Sequence, residues 1–159
     1  MTPAPDLQFR PYQPQDAAAF RQLNEQWIVK YFALEEQDRI ILNNPENYVL
    51  KPGGHIFFAI AHHHPIGCCA LIPVKPGVYE LAKMAVDEEY RGRGIGRRLL
   101  EYTIAQARSL GARSLCLESH TVLANAIHLY KTLGFRRLPP ESVEPSLYAR
   151  SDIHMALDL

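Results

Sequence analysis

Between Tyr90 and Leu100 the chain reads Tyr90-Arg91-Gly92-Arg93-Gly94-Ile95-Gly96-Arg97-Arg98-Leu99-Leu100, with three glycines at alternate positions. They sit between an apolar, β-prone run, Val78 to Val86, and a strongly amphipathic segment. From Gly94 to Leu110, Ile95, Leu99, Leu100, Thr103, Ile104, Ala107 and Leu110 share one half of a helical wheel, with Arg97, Arg98, Glu101 and Arg108 opposite. Gly111 ends this helix, and Ser114 to Glu118 follows as a short strand. The unit from Val78 to Glu118 therefore predicts strand, helix and strand, which implies a parallel pair joined by a crossover.

The turn into that helix has its own chemistry. The first N–H groups of a helix lack intrahelical partners and point outward at the positive end of the dipole, where a phosphate fits. Gly92, Gly94 and Gly96 carry no Cβ to hold a phosphate away and permit unusual φ values, while Arg91, Arg93 and Arg97 add charge. A Walker loop fails, because Arg97 and Arg98 stand where it needs glycine and lysine. The dinucleotide pattern G-x-G-x-x-G begins at Gly92 and Gly94 but meets Arg97 at its third glycine, although Glu118 lies at a plausible distance for a ribose-binding acid. The frame that fits is Arg91-x-x-Gly94-x-Gly96, directly after Met84-Ala85-Val86.

In that frame the chain resembles the GNAT superfamily of N-acetyltransferases, in its small bacterial-type, single-domain form. The family's acetyl-CoA pyrophosphate loop reads Q/R-x-x-G-x-G/A. The segment Asn125-Ala126-Ile127-His128-Leu129-Tyr130-Lys131-Thr132-Leu133-Gly134-Phe135 is similar to the family's second CoA-contacting helix. The resemblance covers Gly54 to Phe135 and extends more weakly to Leu157. It implies a GNAT acyl-CoA N-acyltransferase fold of the α/β (α+β) class: a mixed, mostly antiparallel sheet of about seven strands with a splayed parallel pair, and about four helices. One domain over residues 1–159 is expected.

A coarse pass along the chain agrees. Leu7 to Pro11 reads as a strand, Pro14 to Phe32 as a helix with Phe20, Leu23, Trp27 and Tyr31 on its apolar side, and Glu35 to Leu42 as a shorter helix stopped by Asn43-Asn44-Pro45. His55 to Ala61, Ile66 to Val74 and Val78 to Val86 form an antiparallel meander, turned at His62-His63-His64-Pro65 and at Lys75-Pro76-Gly77. Val122 to Leu133 reads as a helix, and Phe135 to Leu138 and Leu147 to Leu157 as the last strands.

Composition limits the partners. Seventeen Lys and Arg balance seventeen Asp and Glu, so overall charge favours neither nucleic acid nor a membrane surface. Cys68, Cys69 and Cys116 cannot all pair and lack metal spacing; they read as reduced, buried packing residues of a cytoplasmic protein. His62-His63-His64 cannot easily share one ion, because neighbouring side chains diverge, so a solvated hairpin tip is expected and no metal.

Acetyl transfer to an amine needs a neutral nitrogen, a stabilised oxyanion and a proton for the leaving thiolate. A lysine-like amine, with a pKa of about 10.4, must first lose a proton. Glu80, a carboxylate in a mostly apolar strand, is the candidate base and matches the place of a catalytic glutamate in several family members; it is alternatively a partner for the substrate ammonium. The resemblance makes Tyr130 the acid for the thiolate, and gives the cofactor contacts as Met84, Ala85, Val86, Arg91, Gly92, Arg93, Gly94, Ile95, Gly96, Arg97, Asn125 and Tyr130. It further implies a bulge near Met84 that lets the pantetheine arm complete the ladder.

Ser119 and His120 are secondary relay candidates, and Arg150 a candidate for a substrate carboxylate, with a surface salt bridge as its alternative. The expected activity is transfer from acetyl-CoA to a primary amine by direct attack in a ternary complex, the acceptor being a small molecule. Protein lysine or N-terminal acetylation is the alternative. A non-catalytic acyl-CoA-binding regulator is the third, disfavoured by the presence of both Glu80 and Tyr130. Oligomeric state is open, a homodimer included.

Overall fold

The computed structural model describes residues 6–159; residues 1–5 of the expected domain lie outside the described residues. The strands β1 (Gln8–Pro11), β2 (His55–Ala61), β3 (His64–Lys75), β4 (Val78–Val86), β5 (Ser114–Ser119), β6 (Arg136–Arg137) and β7 (Ile153–Asp158) form one sheet in the order β1-β2-β3-β4-β5-β7-β6. Only β4 and β5 pair in parallel, joined by the crossover helix α3 (Ile95–Ser109). The other helices are α1 (Ala17–Tyr31), α2 (Glu36–Asn43) and α4 (Ala124–Thr132). This is the GNAT fold expected from the sequence.

Each face of the sheet carries its own core. On one side α1 and α2 deliver Phe20, Leu23, Ile28, Ile41 and Leu42 onto Ile56, Phe58, Cys68 and Ala70. On the other, Leu99, Leu100 and Ile104 of α3 and Ile127 and Tyr130 of α4 cover Cys69, Leu71, Leu81, Leu115 and Met155. Sealing each of the larger side chains contributes roughly 1.5–3 kcal/mol. Cys68 and Cys69 are fully buried on opposite faces of β3, as alternation demands, whereas Cys116 is only half-buried, against expectation.

Several boundaries differ from the sequence reading. The first helix opens with a tighter turn over Pro14–Asp16, where Asp16 takes the Gln13 N–H (2.8 Å) and a bidentate pair from Arg10 (2.6 and 3.0 Å). Beyond Pro45 the chain adds an unexpected π-helical turn, Glu46–Leu50, which buries Val49. β3 begins at His64, so the hairpin turn is two residues, His62 and His63, at φ 50 and 66°. The last strand begins only at Ile153; Leu147 to Arg150 belong to a loop folded back on the sheet.

Candidate active site

The site arises where β4 and β5 part. Their pairing comprises Val78 with Ser114, Tyr79 with Leu115 and Glu80 with Cys116. Past Glu80, β5 continues along β7, and β4 stays only with β3. The backbone groups of Leu81 to Val86 that face β5 thus border a gap with no ladder on that side.

A bulge sits at the fork. Ala82 opposes Ala70 but Ala85 opposes Cys68, so Lys83 and Met84 together face Cys69. Lys83 takes the extra turn at φ 52°, a conformation costly for a side chain with a Cβ. The added residue reverses the alternation. Tyr79 and Leu81 pack toward α3 before the bulge, Met84 and Val86 after it, while Ala85 turns to the α1 and α2 side. Lys83 reaches Asp38 of α2 (2.7 Å) and the Tyr148 hydroxyl (2.9 Å).

The gap opens into a cleft of 1080 Å³. One end meets the start of α3. Gly94 is the N-cap at φ 76° with no side-chain cap, and the first helical bond runs from Arg98 N–H to Gly94 (3.2 Å), leaving the amides of Ile95, Gly96 and Arg97 without intrahelical acceptors. Gly92 (φ 78°) and Gly94 are needed for their conformation, and a Cβ on either would meet nothing within 4 Å. Gly96 serves differently: a Cβ there would come within 3.3 Å of Met84 Cε, narrowing the cleft. A diphosphate fits this cradle.

The three expected arginines divide. Arg91 lines the cleft and donates through Nε to the Val86 carbonyl (3.2 Å). Arg93 lies over the Tyr90 ring, and Arg97 is held by Glu101 (2.9 Å) and Thr132 (3.1 Å), so neither side chain lines the cleft. Arg97 instead braces α3 against α4. Met84, Ala85, Val86, Ile95, Gly96, Asn125 and Tyr130 all border the cleft. Tyr130 is buried, packs edge-on against Phe135, and points its hydroxyl at Met84 Sδ (3.8 Å). Burial pushes its pKa up, so the phenol keeps its proton.

The other end of the cleft is acidic at its floor. Glu80, Cys116, Glu118 and His154 are register partners or alternate residues on one face of β4, β5 and β7. Glu118 accepts from Ser146 Oγ (2.7 Å) and lies 3.9 Å from His154 Nδ1. Glu80 is pushed up to about 7, first by burial and then by Glu118, against the pull of Lys83. Cys116 is pushed up to about 11, again by burial first and then by the two glutamates, so its thiol stays protonated.

Arg150 has a different role from the two expected. It is neither free for a substrate carboxylate nor in a surface pair: it grips buried Asp38 bidentately (2.6 and 2.7 Å) and touches Glu35 (3.4 Å). Burial alone would raise Asp38, but the bonds from Arg150 and Lys83 win and hold it at about 2. Ser119 and His120 border the cleft, yet His120 accepts the Val122 N–H at Nδ1 (2.9 Å), so its proton sits on Nε2 facing Asp152 (3.4 Å). His62, His63 and His64 are exposed at the hairpin tip, as a solvated turn requires.

Sequence reasoning missed Glu118 as a cleft carboxylate, and missed Asp38, Lys83 and Tyr148 altogether. For Glu118 a signal existed, since Cys116 and Glu118 alternate with Leu115 and Leu117. For Lys83 none did, because nothing in a lysine announces a left-handed bulge.

A sheet forked at its parallel pair, with an uncapped glycine-rich helix start facing the fork, defines an acyl-CoA-dependent transferase. The family model described as Acetyltransferase (GNAT) family matches residues 12–135, and the chain belongs to that family, an acetyl-CoA-dependent N-acyltransferase. It is 28% identical over 131 residues to an uncharacterized N-acetyltransferase of Schizosaccharomyces pombe, covering 80% of each chain. To the [Ribosomal protein bS18]-alanine N-acetyltransferase of Escherichia coli it is 33% identical over 81 residues, 51% of this chain and 55% of that one. In fold it is similar to a GNAT acetyltransferase of Staphylococcus aureus (TM-score 0.86, 22% identity, 96% and 98% covered). It is also similar to a Bacillus subtilis acetyltransferase crystallised in complex with CoA (TM-score 0.72, 19% identity, 97% and 99% covered).

Proposed function

We propose that the chain transfers acetyl from acetyl-CoA to the nitrogen of a small primary amine by direct attack in a ternary complex. The observation that carries this reading is the fork itself, which begins at Glu80 and is bordered by the uncapped start of α3 and by Tyr130. The amides of Ile95, Gly96 and Arg97, with Arg91, hold the diphosphate, and the free edge of β4 from Met84 to Val86 takes the pantetheine arm as a further strand would.

Glu80 removes the proton from the amine. Its pKa near 7 lies close to that of an effective base at neutral pH. As the nitrogen attacks, an N–C bond forms at the thioester carbon and charge gathers on the carbonyl oxygen beside the β4 amides; the C–S bond then breaks, and the second proton of the nitrogen passes to the departing thiolate. Tyr130 donates a hydrogen bond to the departing thiolate. Its raised pKa makes it a stabiliser first and a proton source second. Among the described residues Cys116 is the cysteine bordering the cleft, and its protonated thiol is a poor nucleophile, which favours direct attack over an acetyl-enzyme.

Initial-velocity kinetics with both substrates varied tests this. Intersecting lines support the ternary complex, and parallel lines overturn it. Acetylation of a peptide N-terminus is the second reading, favoured by the similarity to the alanine N-acetyltransferase.

A further inference from the structure

The acceptor end of the cleft combines three features that belong together chemically. Its floor bears two carboxylates on neighbouring strands, Glu80 and Glu118, each on the cleft face. Its cations are already committed: Lys83 to Asp38 at 2.7 Å, and Arg150 to Asp38 at 2.6 Å. Its mouth is apolar. Of the large hydrophobic side chains exposed on the described residues, Tyr31, Tyr48, Val74, Val122 and Leu147 all border this cleft, Leu147 with 77% of its surface free. Exposed apolar side chains gathered at one cleft, rather than scattered, mark a surface built for an apolar ligand.

The loop after β6 adds a constraint on size. It is pinned at the cleft by Ala149 N–H to Glu35 (2.8 Å), by Arg150 to Asp38, and by the Lys83 ammonium, which donates to the Tyr148 hydroxyl (2.9 Å). Lys83 and Arg150 also lie over the Tyr148 ring, at 4.6 and 4.5 Å. The loop is thus a strap tied at three points to α2 and β4, and it borders this end of the cleft.

We propose that the acceptor is a small primary amine on an apolar or aromatic body, with no carboxylate beside the nitrogen, and that Glu118 anchors its ammonium group next to Glu80. The inference rests on the transferase reading and names the substrate class of the same site. The cationic nitrogen enters between Glu80 and Glu118, its proton passes to Glu80, and its body lies against Tyr31 and Leu147. A carboxylate on the α-carbon would face the two glutamates with Lys83 and Arg150 already paired, so free amino acids are rejected by like charge.

The test is thiol release from acetyl-CoA with 2-phenylethylamine, phenylalanine amide, phenylalanine, spermidine and a peptide beginning with phenylalanine. Expected is a kcat/KM for 2-phenylethylamine about 100-fold above that for phenylalanine and about 10-fold above that for spermidine, with the amide near the first. Phenylalanine matching the amine, or the peptide or spermidine leading the panel, overturns the assignment.

Calorimetry of acetyl-CoA and the rest of the panel separate the two levels of failure. Turnover led by phenylalanine, spermidine or the peptide sinks the acceptor class alone, whereas absence of binding, or binding without turnover on any amine, sinks the transferase reading with it. Glu118→Gln is expected to raise the KM for the amine about 10-fold and to move the acid limb of the kcat profile to lower pH, since Glu118 helps raise Glu80, with the KM for acetyl-CoA nearly unchanged and Glu118→Asp recovering part of the loss. An unchanged amine KM in Glu118→Gln removes Glu118 as the anchor.

Discussion

The two ends of the cleft are built by opposite means. At the end proposed to hold the diphosphate, a run of a few residues, Arg91 to Arg97, shapes the cleft through backbone: two left-handed glycines, one space-saving glycine and a row of unpartnered amides. At the other end side chains from α2, β4 and the loop before β7 meet through one buried carboxylate, Asp38, which binds Lys83 and Arg150 together. The first is a local device that the fold tolerates. The second is part of what holds the fold, so substrate chemistry and stability are coupled there and separable at the other end.

The sharpest way to break this contrast is Asp38→Ala. Leaving Lys83 buried without its carboxylate, and Arg150 with Glu35 alone, is expected to cost about 3–5 kcal/mol in chemical denaturation. Asp38 ionises at about 2 in the folded chain, below its ordinary 3.8, so its stabilisation is present above pH 4 and lost as pH falls toward 2. The variant should lack that acid-dependent loss. A variant as stable as the parent means that the pair is ornamental.

At the other end, Gly94→Val with Gly96→Leu should weaken acetyl-CoA binding by about 100-fold, roughly 2.7 kcal/mol, while the far-ultraviolet spectrum stays native. Unchanged affinity by calorimetry removes the cradle.

Next in size, Glu80→Gln tests whether catalysis and stability oppose each other at one residue. A folded-state pKa of about 7 against an ordinary 4.5 means that stability falls as pH rises between those values, by on the order of 2–3 kcal/mol. The variant should be more stable than the parent at pH 8 and should lose the acid limb of the kcat/KM profile. A parental profile rules out Glu80 as base.

Tyr130→Phe should lower kcat by about 10-fold and leave acetyl-CoA affinity nearly intact; an equal kcat rejects the phenol's role. The smallest effect is expected of Arg97→Ala, within about 0.5 kcal/mol on acetyl-CoA binding, because its side chain faces Glu101 and Thr132. A large loss would place Arg97 back at the diphosphate.

Legibility in the sequence followed the same division. The glycine frame, the amphipathic α3 and the helix closed by Gly134 and Phe135 are local patterns, and the meander and the parallel pair follow from the strand-helix-strand unit, whereas the place of β7 between β5 and β6 does not. The bulge at Lys83 was implied only through family resemblance, and its consequence, the reversal of facing between Ala82 and Met84, depends on Asp38 being 45 residues away. Arg150 misled for the same reason, since a charged side chain near a strand reads as surface until a buried partner is known.

By itself the sequence determined where the backbone turns, which helix faces are apolar and where a phosphate is welcomed, because these depend on neighbours a few positions apart. Tertiary structure alone decided which charges are spent on one another and which remain for a ligand. Charge pairing is settled by distance in space and by burial, and Glu80 and Glu118, 38 positions apart, come to face one cleft only when two strands run side by side before diverging.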